Sequence, residues 1–165
     1  IYHLTRSEQD IEGYPTFFKV KPPLRNETDR IAAIEAVSSG TIDIISSMNT
    51  PQDEESKRLP FEASASGAVG LETLLPAALQ LVHGDYMDLP TLWRALSLNP
   101  AKLLGLSTGR IKVGCPADLV LFDLDKPFIL DRTKLHSKSK NTPFDGRTMQ
   151  GRVIKTIVSG QEVHS

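Results

Sequence analysis

The chain contains very little cysteine and no long apolar run. Cys115 is its single cysteine among 165 residues, which excludes an internal disulfide framework and suits a reducing compartment. We therefore expect a cytoplasmic location. No apolar stretch approaches the ~20 residues that a membrane-spanning helix needs, so no membrane partner is expected.

An excess of positive charge is also absent. The net charge is -1, and such a chain creates no basic field that would attract nucleic acid or an anionic membrane surface. The apolar share of 39% and the charged share of 24% are those of an ordinary globular domain. The N-terminus, Ile1 to Thr5, is neither a signal peptide nor an initiator methionine, and we expect the chain to begin within a longer protein.

The first part of the chain predicts helices alternating with short strands. Asn26 can cap a helix that carries Glu27 and Asp29 in its first turn and ends at Gly40. Thr41–Ser46 is rich in β-branched residues, which is typical of a buried parallel strand. Further strands are predicted at 1–5 and 16–20, an irregular charged loop at 53–66, and helices from Val69 to His83, from Pro90 to Leu98, and after an Asn99 cap.

The last part of the chain predicts a different architecture. Short strands broken by glycine and proline are expected at 110–114, 117–123 and 153–163. We therefore place a boundary near Gly109. It divides a helix-rich part, residues 1–108, from a small β-module, residues 109–165.

Several motifs together resemble one enzyme family. Lys19–Arg25 contains Lys-Pro-Pro-Leu-Arg, Thr41–Asp53 is a strand that ends in a polar loop, and Gly67–Thr73 reads Gly-Ala-Val-Gly-Leu-Glu-Thr. These segments resemble the last barrel strands of a dihydroorotase of the longer bacterial type. Asn99–Lys102 and Ala117–Val120 resemble the C-terminal signature of metal-dependent amidohydrolases in general. The resemblance covers nearly the whole chain but only the C-terminal two-fifths or so of a family member.

The resemblance implies an α/β fold. Residues 1–108 would form the last strands and helices of a TIM-type (β/α)8 barrel, and residues 109–165 would form part of a small C-terminal β-sandwich. The chain would supply only about two of the barrel strands. We expect the N-terminal part of the same protein, or a second copy of this chain, to cover the exposed strand edges and helix faces.

The resemblance also implies that the catalytic positions have been substituted. The family has an Asp-His pair after the strand, with the Asp acting as metal ligand and proton shuttle, and this chain has Met48 and Asn49 there. A thioether accepts no proton and is a poor zinc ligand, so no catalytic or metal-binding residue is predicted.

The substrate-binding positions of the family are only partly retained. They correspond to Lys21, Gln52, Ser66 and Gly67, and Lys21 and Gln52 replace an Asn and a His of the family pattern. A lysine can still attract a carboxylate, but as a point charge. We expect Met48 to be a packing residue at an unused barrel mouth.

Other polar residues are better explained without a site. His3 is expected to pack rather than to bind metal, and Asp43 to have a structural role. The acidic group Asp53–Glu55 reads as solvated surface. Cys115 is expected to be a structural thiol and Asp118 to cap a turn.

Zinc-dependent interconversion of dihydroorotate and carbamoyl-aspartate in pyrimidine biosynthesis is the activity that the resemblance implies. With Met48 in place of the shuttle, we expect a non-catalytic homologue that binds no zinc by itself. Such homologues resemble the partners that support aspartate transcarbamoylase assembly. Two alternatives stay open: a genuine zinc dihydroorotase whose metal ligands lie in the N-terminal part, and a hydantoinase-type hydrolase of another cyclic amide.

Overall fold

The computed structural model describes residues 1–165 as a helical part followed by a small antiparallel sheet. The helices are α1 (Tyr2–Thr5), α2 (Glu27–Ser38), α3 (Glu54–Arg58), α4 (Leu74–His83), α5 (Leu89–Trp93) and α6 (Asn99–Leu103). The strands are β1 (Leu119–Ile129), β2 (Thr148–Val158) and β3 (Gln161–His164), in the order β1-β2-β3. None of the helices has the length and apolar character required to cross a bilayer.

Helix α2 confirms the helix predicted after Asn26. The side chain of Asn26 accepts a hydrogen bond from the backbone N–H of Asp29 at 2.8 Å, which satisfies one of the free donors at the helix start. Ile34 and Val37 are buried on the inner face of this helix. Gly40 follows the helix with a φ of 79°, a conformation that glycine adopts without steric cost.

The helices predicted at Pro90 and at Asn99 form one continuous helical segment. Asp88 caps it by accepting from the N–H of Thr91 at 2.8 Å, and a π-helical turn, Arg94–Leu98, joins α5 to α6. The predicted cap at Asn99 is wrong, because its amide instead donates to the carbonyl of Asp43 at 2.9 Å. A wider turn just before Pro100 lets the helix pass a residue that has no N–H to donate.

Several predicted strands are wrong. Residues 1–5 contain α1, residues 16–18 form a single 3-10 turn, and residues 41–46 and 110–114 belong to no strand. A strand needs a neighbour for its backbone groups. The N–H of Ile45 donates instead to Ala95 at 3.1 Å, in the π-helical turn. One isolated parallel bridge, between Asn49 and Ala68, lies beyond residues 41–46.

The β-module contains longer strands than expected. β1 continues past the predicted 117–123 segment to Ile129, and irregularities in its pairing with β2 occur between Leu121 and Phe122 and between Asp123 and Pro127. These irregular positions accommodate Pro127 within the strand. The single strand predicted at 153–163 is a hairpin, with β2 and β3 joined at Ser159-Gly160.

The core lies between the helices and β2. Its fully buried large side chains include Tyr2, Leu79, Leu92 and Phe144. The sheet contacts the helical part closely, since Trp93 of α5 stacks on Phe122 of β1 with ring centroids 5.3 Å apart. The two parts therefore share one apolar interior.

Candidate functional site

Most of the residues predicted at the barrel mouth lie together. Lys21, Met48, Ser66 and Gly67 line one small cleft, with Tyr2, His3, Val20, Thr50 and Ala68. We call it the mouth cleft. The residues of this chain enclose only about 30 Å³ there, which is close to the volume of one water molecule in the liquid.

Met48 lines the mouth cleft in an unusual backbone conformation. Its φ is 53°, which is uncommon for a residue with a side chain. The side chain is half-buried and packs against the apolar core. These contacts are those of a packing residue, and the position offers no group that could accept a proton.

Asn49 uses its side chain to hold the backbone. Its amide oxygen accepts a hydrogen bond from the N–H of Gly70 at 2.9 Å, and the next residue, Thr50, donates its N–H to the carbonyl of Ala68 at 2.8 Å. These bonds join the loop after Ser47 to the segment that contains Gly67. The Met48-Asn49 pair therefore shapes the mouth cleft.

Position 67 requires a glycine, because both its backbone conformation and the neighbouring atoms exclude a Cβ. Its φ is 134°, and a Cβ at this position would lie 2.5 Å from the carbonyl oxygen of Thr50. The same Cβ would lie 3.0 Å from the amide nitrogen of Gln52. The side chain of Gln52 thus reaches Gly67, although Gln52 lines a neighbouring cleft of about 480 Å³ and not the mouth cleft.

Nearly the whole chain matches one family of hydrolases. The family model described as "Amidohydrolase family" matches residues 7–163. This chain belongs to the amidohydrolase family. The expected resemblance to dihydroorotases is confirmed, since the dihydroorotase of Ehrlichia canis is 42% identical over 99% of this chain and the dihydroorotase of Geobacter sp. is 40% identical over 99%.

A solved structure confirms the expected fold class. L-Hydantoinase from Arthrobacter aurescens superposes with a TM-score of 0.93 and 32% identity over 99% of this chain. Such amidohydrolases have a TIM-type barrel, so this chain is α/β and corresponds to a barrel segment followed by a small sheet. The chain spans 37% of the length of the Ehrlichia relative and 38% of that hydantoinase.

Amidohydrolases of this kind are generally metal-dependent, but the mouth cleft of this chain does not fit a zinc ion. Zinc prefers Cys, His and carboxylate ligands. His3 is the only such residue in the cleft, and its Nε2 is already 3.0 Å from the carbonyl oxygen of Pro22. No three His, Cys, Asp or Glu side chains converge anywhere in the chain.

Asn141 is a residue of the site that sequence reasoning missed. It is buried, and its amide donates to the carbonyl of Gly67 at 3.0 Å and accepts from the N–H of Gln52 at 3.3 Å. Its own carbonyl accepts from the N–H of Val69 at 3.0 Å. One residue of the β-module therefore fixes two loops of the amidohydrolase mouth. The segment Asn141-Thr142-Pro143-Phe144 resembles the dihydroorotase and hydantoinase branch of the family, but that resemblance assigns Asn141 no role.

Lys57 is a second residue that the sequence did not single out. Its ammonium group donates to the carbonyls of Thr16 and Ala65 at 2.9 and 2.7 Å and to that of Lys19 at 3.3 Å. The residue is only 3% exposed. Burial, and to a smaller degree the charge of Lys19, lowers the pKa of Lys57 to about 8.

The remaining candidate residues lie apart from the mouth cleft. Asp53 caps α3 by accepting from the N–H of Ser56 at 2.8 Å, and this bond holds the pKa of its carboxyl below the usual range. Asp118 accepts from the N–H of Ser159 at 2.8 Å, as expected of a turn cap. Asp43 is exposed, and Cys115 is half-buried in a loop.

Proposed function

We propose that this chain is the C-terminal segment of a dihydroorotase-like amidohydrolase of pyrimidine biosynthesis that no longer catalyses its family's reaction. The observation that carries the proposal is Met48, which packs against the core where the family pattern has its proton-shuttling Asp. Asn49 supports the proposal, because its side-chain oxygen already accepts a hydrogen bond from the N–H of Gly70.

Two other functions have specific support. The identity to dihydroorotases favours a genuine zinc enzyme whose metal ligands come from a part of the protein outside this chain. The superposition on L-hydantoinase favours a hydrolase of another cyclic amide. An activity assay that supplies the rest of the barrel distinguishes all three.

We expect no turnover of dihydroorotate or hydantoin when this chain is co-expressed with the N-terminal barrel segment of the Ehrlichia relative. Loss of a general acid-base residue typically costs about 10²–10⁴-fold. The double variant Met48→Asp, Asn49→His should not restore activity, because Lys21 and Gln52 still replace the family residues and Asn49 can no longer hold Gly70. The measurement is chromatographic detection of the ring-opened product, carbamoyl-aspartate from dihydroorotate or N-carbamoyl-glycine from hydantoin.

The matched control is the C-terminal segment of the Ehrlichia relative, paired with the same N-terminal segment. This control pair is expected to be active, which shows that the two separately expressed segments can assemble into a working barrel. Dihydroorotate turnover by the unmodified chain at about 1–10³ s⁻¹ would contradict our proposal and support a genuine zinc dihydroorotase. Turnover of hydantoin alone would contradict it and support a hydantoinase-type hydrolase.

We also propose that the chain works in association with another polypeptide. Several large apolar side chains are exposed: Leu103, Leu104, Ile111, Val113, Ile129 and Val163. Strands β1 and β3 both leave an open edge. The chain spans about 37% of the length of its dihydroorotase relatives, so the remaining part of the same protein is the first partner that we propose. A second copy, or aspartate transcarbamoylase, is the next.

The purified chain is accordingly expected to sediment as a species larger than 18.1 kDa. Each large apolar side chain that becomes buried contributes about 1.5–3 kcal/mol. Leu103→Asp with Leu104→Asp should shift the chain toward smaller species, whereas Lys102→Asp, at an already polar exposed position on the same helix, should not. A stable monomer that unfolds cooperatively would contradict the proposed association.

A further inference from the structure

A second cleft lies at the C-terminal end of helix α4 and shares no lining residue with the mouth cleft. It is lined by Arg6, by Gln80, His83 and Gly84 at the end of α4, by Pro127 of β1, by Arg147, and by residues 148–150 of β2. Its volume is about 630 Å³. We call it the junction cleft, because the helical part and the β-module both contribute to it.

Arg6 is incompletely paired at this cleft. Its guanidinium lies 4.8 Å from the ring of Phe144, and Nη1 donates to the carbonyl of Thr5 at 3.0 Å. Its Nε is buried and has no hydrogen-bond partner. A buried N–H without an acceptor is unfavourable and uncommon in folded proteins. The packing thus holds the guanidinium of Arg6 at a position where one of its N–H groups has no acceptor in this chain.

Arg147 adds a second positive charge. Its Nη2 is 3.6 Å from the carboxylate of Asp10, and its side chain is 53% exposed. Asp10 already accepts from the N–H of Ser7 at 3.0 Å. It is the one carboxylate that lies near both arginines.

Two other ionisable residues near the cleft have carboxylate neighbours. Arg30 is paired with Glu27, and His83 faces Asp125 at 3.6 Å. Burial lowers the pKa of Arg6; Asp10 opposes this, while Arg147 and Arg30 add to it. With Asp10 shared between Arg6 and Arg147, one positive charge remains in excess.

We propose that the junction cleft binds a small phosphate-type anion between Arg6 and Arg147. Guanidinium groups present several N–H donors in a plane that matches the oxygens of a phosphate group. Thr148 and Gln80 add neutral polar groups to the same lining. Such an anion would supply the missing negative charge and would join the helical part to the β-module. The proposal does not depend on whether the mouth cleft is catalytic.

The test is calorimetric titration of the purified chain with inorganic phosphate, at constant ionic strength set with sodium chloride. Arg147→Gln is expected to lower the affinity about tenfold or more, which is the usual loss for a charge-assisted hydrogen bond. Arg152→Gln is the matched control, since Arg152 is exposed on strand β2, near the residues of β2 that line the cleft, and it should leave the affinity within about twofold. Asp10→Asn should raise the affinity, because it removes the competing carboxylate.

The outcomes separate the proposal from its rivals. If ribose 5-phosphate also binds and is equally sensitive to Arg147→Gln, the site takes phosphorylated metabolites as well as free phosphate. Binding that Arg147→Gln and Arg152→Gln weaken equally would be general charge attraction and would overturn the proposal. Failure of phosphate to bind the purified chain, or to bind it in complex with the rest of the protein, would also overturn the proposal.

Discussion

Gly70→Ala is expected to destabilise the chain by about 3–5 kcal/mol, which combines overpacking with the loss of a buried hydrogen bond. A Cβ at Gly70 would overlap the carbonyl oxygen of Ser47 and would lie 2.7 Å from the hydroxyl of Tyr2. Neither group can move freely. Ser47 is half-buried and lies two residues before Asn49, whose side chain is bonded to the N–H of Gly70. The Tyr2 hydroxyl donates to the carbonyl of Val69 at 2.9 Å inside the core.

Urea unfolding followed by the fluorescence of Trp93, at one fixed protein concentration, measures this effect. Gly13→Ala is the control. No atom lies within 4 Å of a Cβ at Gly13, and its φ is 77°, so only the cost of a left-handed backbone remains, about 1 kcal/mol. Equal losses for the two variants would show that Gly70 is not confined as described.

Lys57→Met is expected to cost about 2–4 kcal/mol, because a buried acceptor that loses its donor typically costs about 1–3 kcal/mol. The substitution leaves the carbonyls of Thr16, Lys19 and Ala65 without the ammonium group that now satisfies them. Removal of a buried charge offsets part of that cost. Lys102→Met is the control, since Lys102 is exposed on α6, and it should change stability by less than about 0.5 kcal/mol.

The same residue predicts a pH dependence. The pKa of Lys57 is about 8 in the folded chain, whereas an ordinary lysine titrates near 10.5. Between these values the unfolded chain binds more protons, so the contribution of Lys57 to stability rises with pH across this window. In Lys57→Met this rise should vanish, while Lys102→Met should retain it. A rise of equal size in both variants would assign it to other groups.

The sequence predicted the elements whose signals are local. Asn26 marked the start of α2 because a capping side chain acts within one turn. The apolar face ending at His83 marked α4, although that helix begins at Leu74 and not at the predicted Val69. Residues 41–46 were predicted as a strand from composition alone. A strand also needs a neighbour, which composition cannot supply, and the N–H of Ile45 bonds to Ala95 instead.

The candidate site was predicted in part. The motif placed Lys21, Met48, Ser66 and Gly67, and the structure brings these four together. Asn141 and Lys57 were not predicted as site residues, because their hydrogen-bond partners are backbone carbonyls and N–H groups that are distant in sequence. Every residue has a backbone carbonyl, whatever its side chain. A pattern of residue types therefore cannot predict such a contact.

The position of Asn141 has a consequence for how such proteins can recombine. It lies beyond the proposed boundary near Gly109, yet it is bonded to Gly67 of the mouth cleft and to Gln52 of the neighbouring cleft. In a chimera that joins residues 1–108 to the C-terminal module of another amidohydrolase, that module would therefore set the positions of these loops as well as supply a new sheet. Exchange of intact C-terminal modules would alter the mouth without changing any residue that lines it.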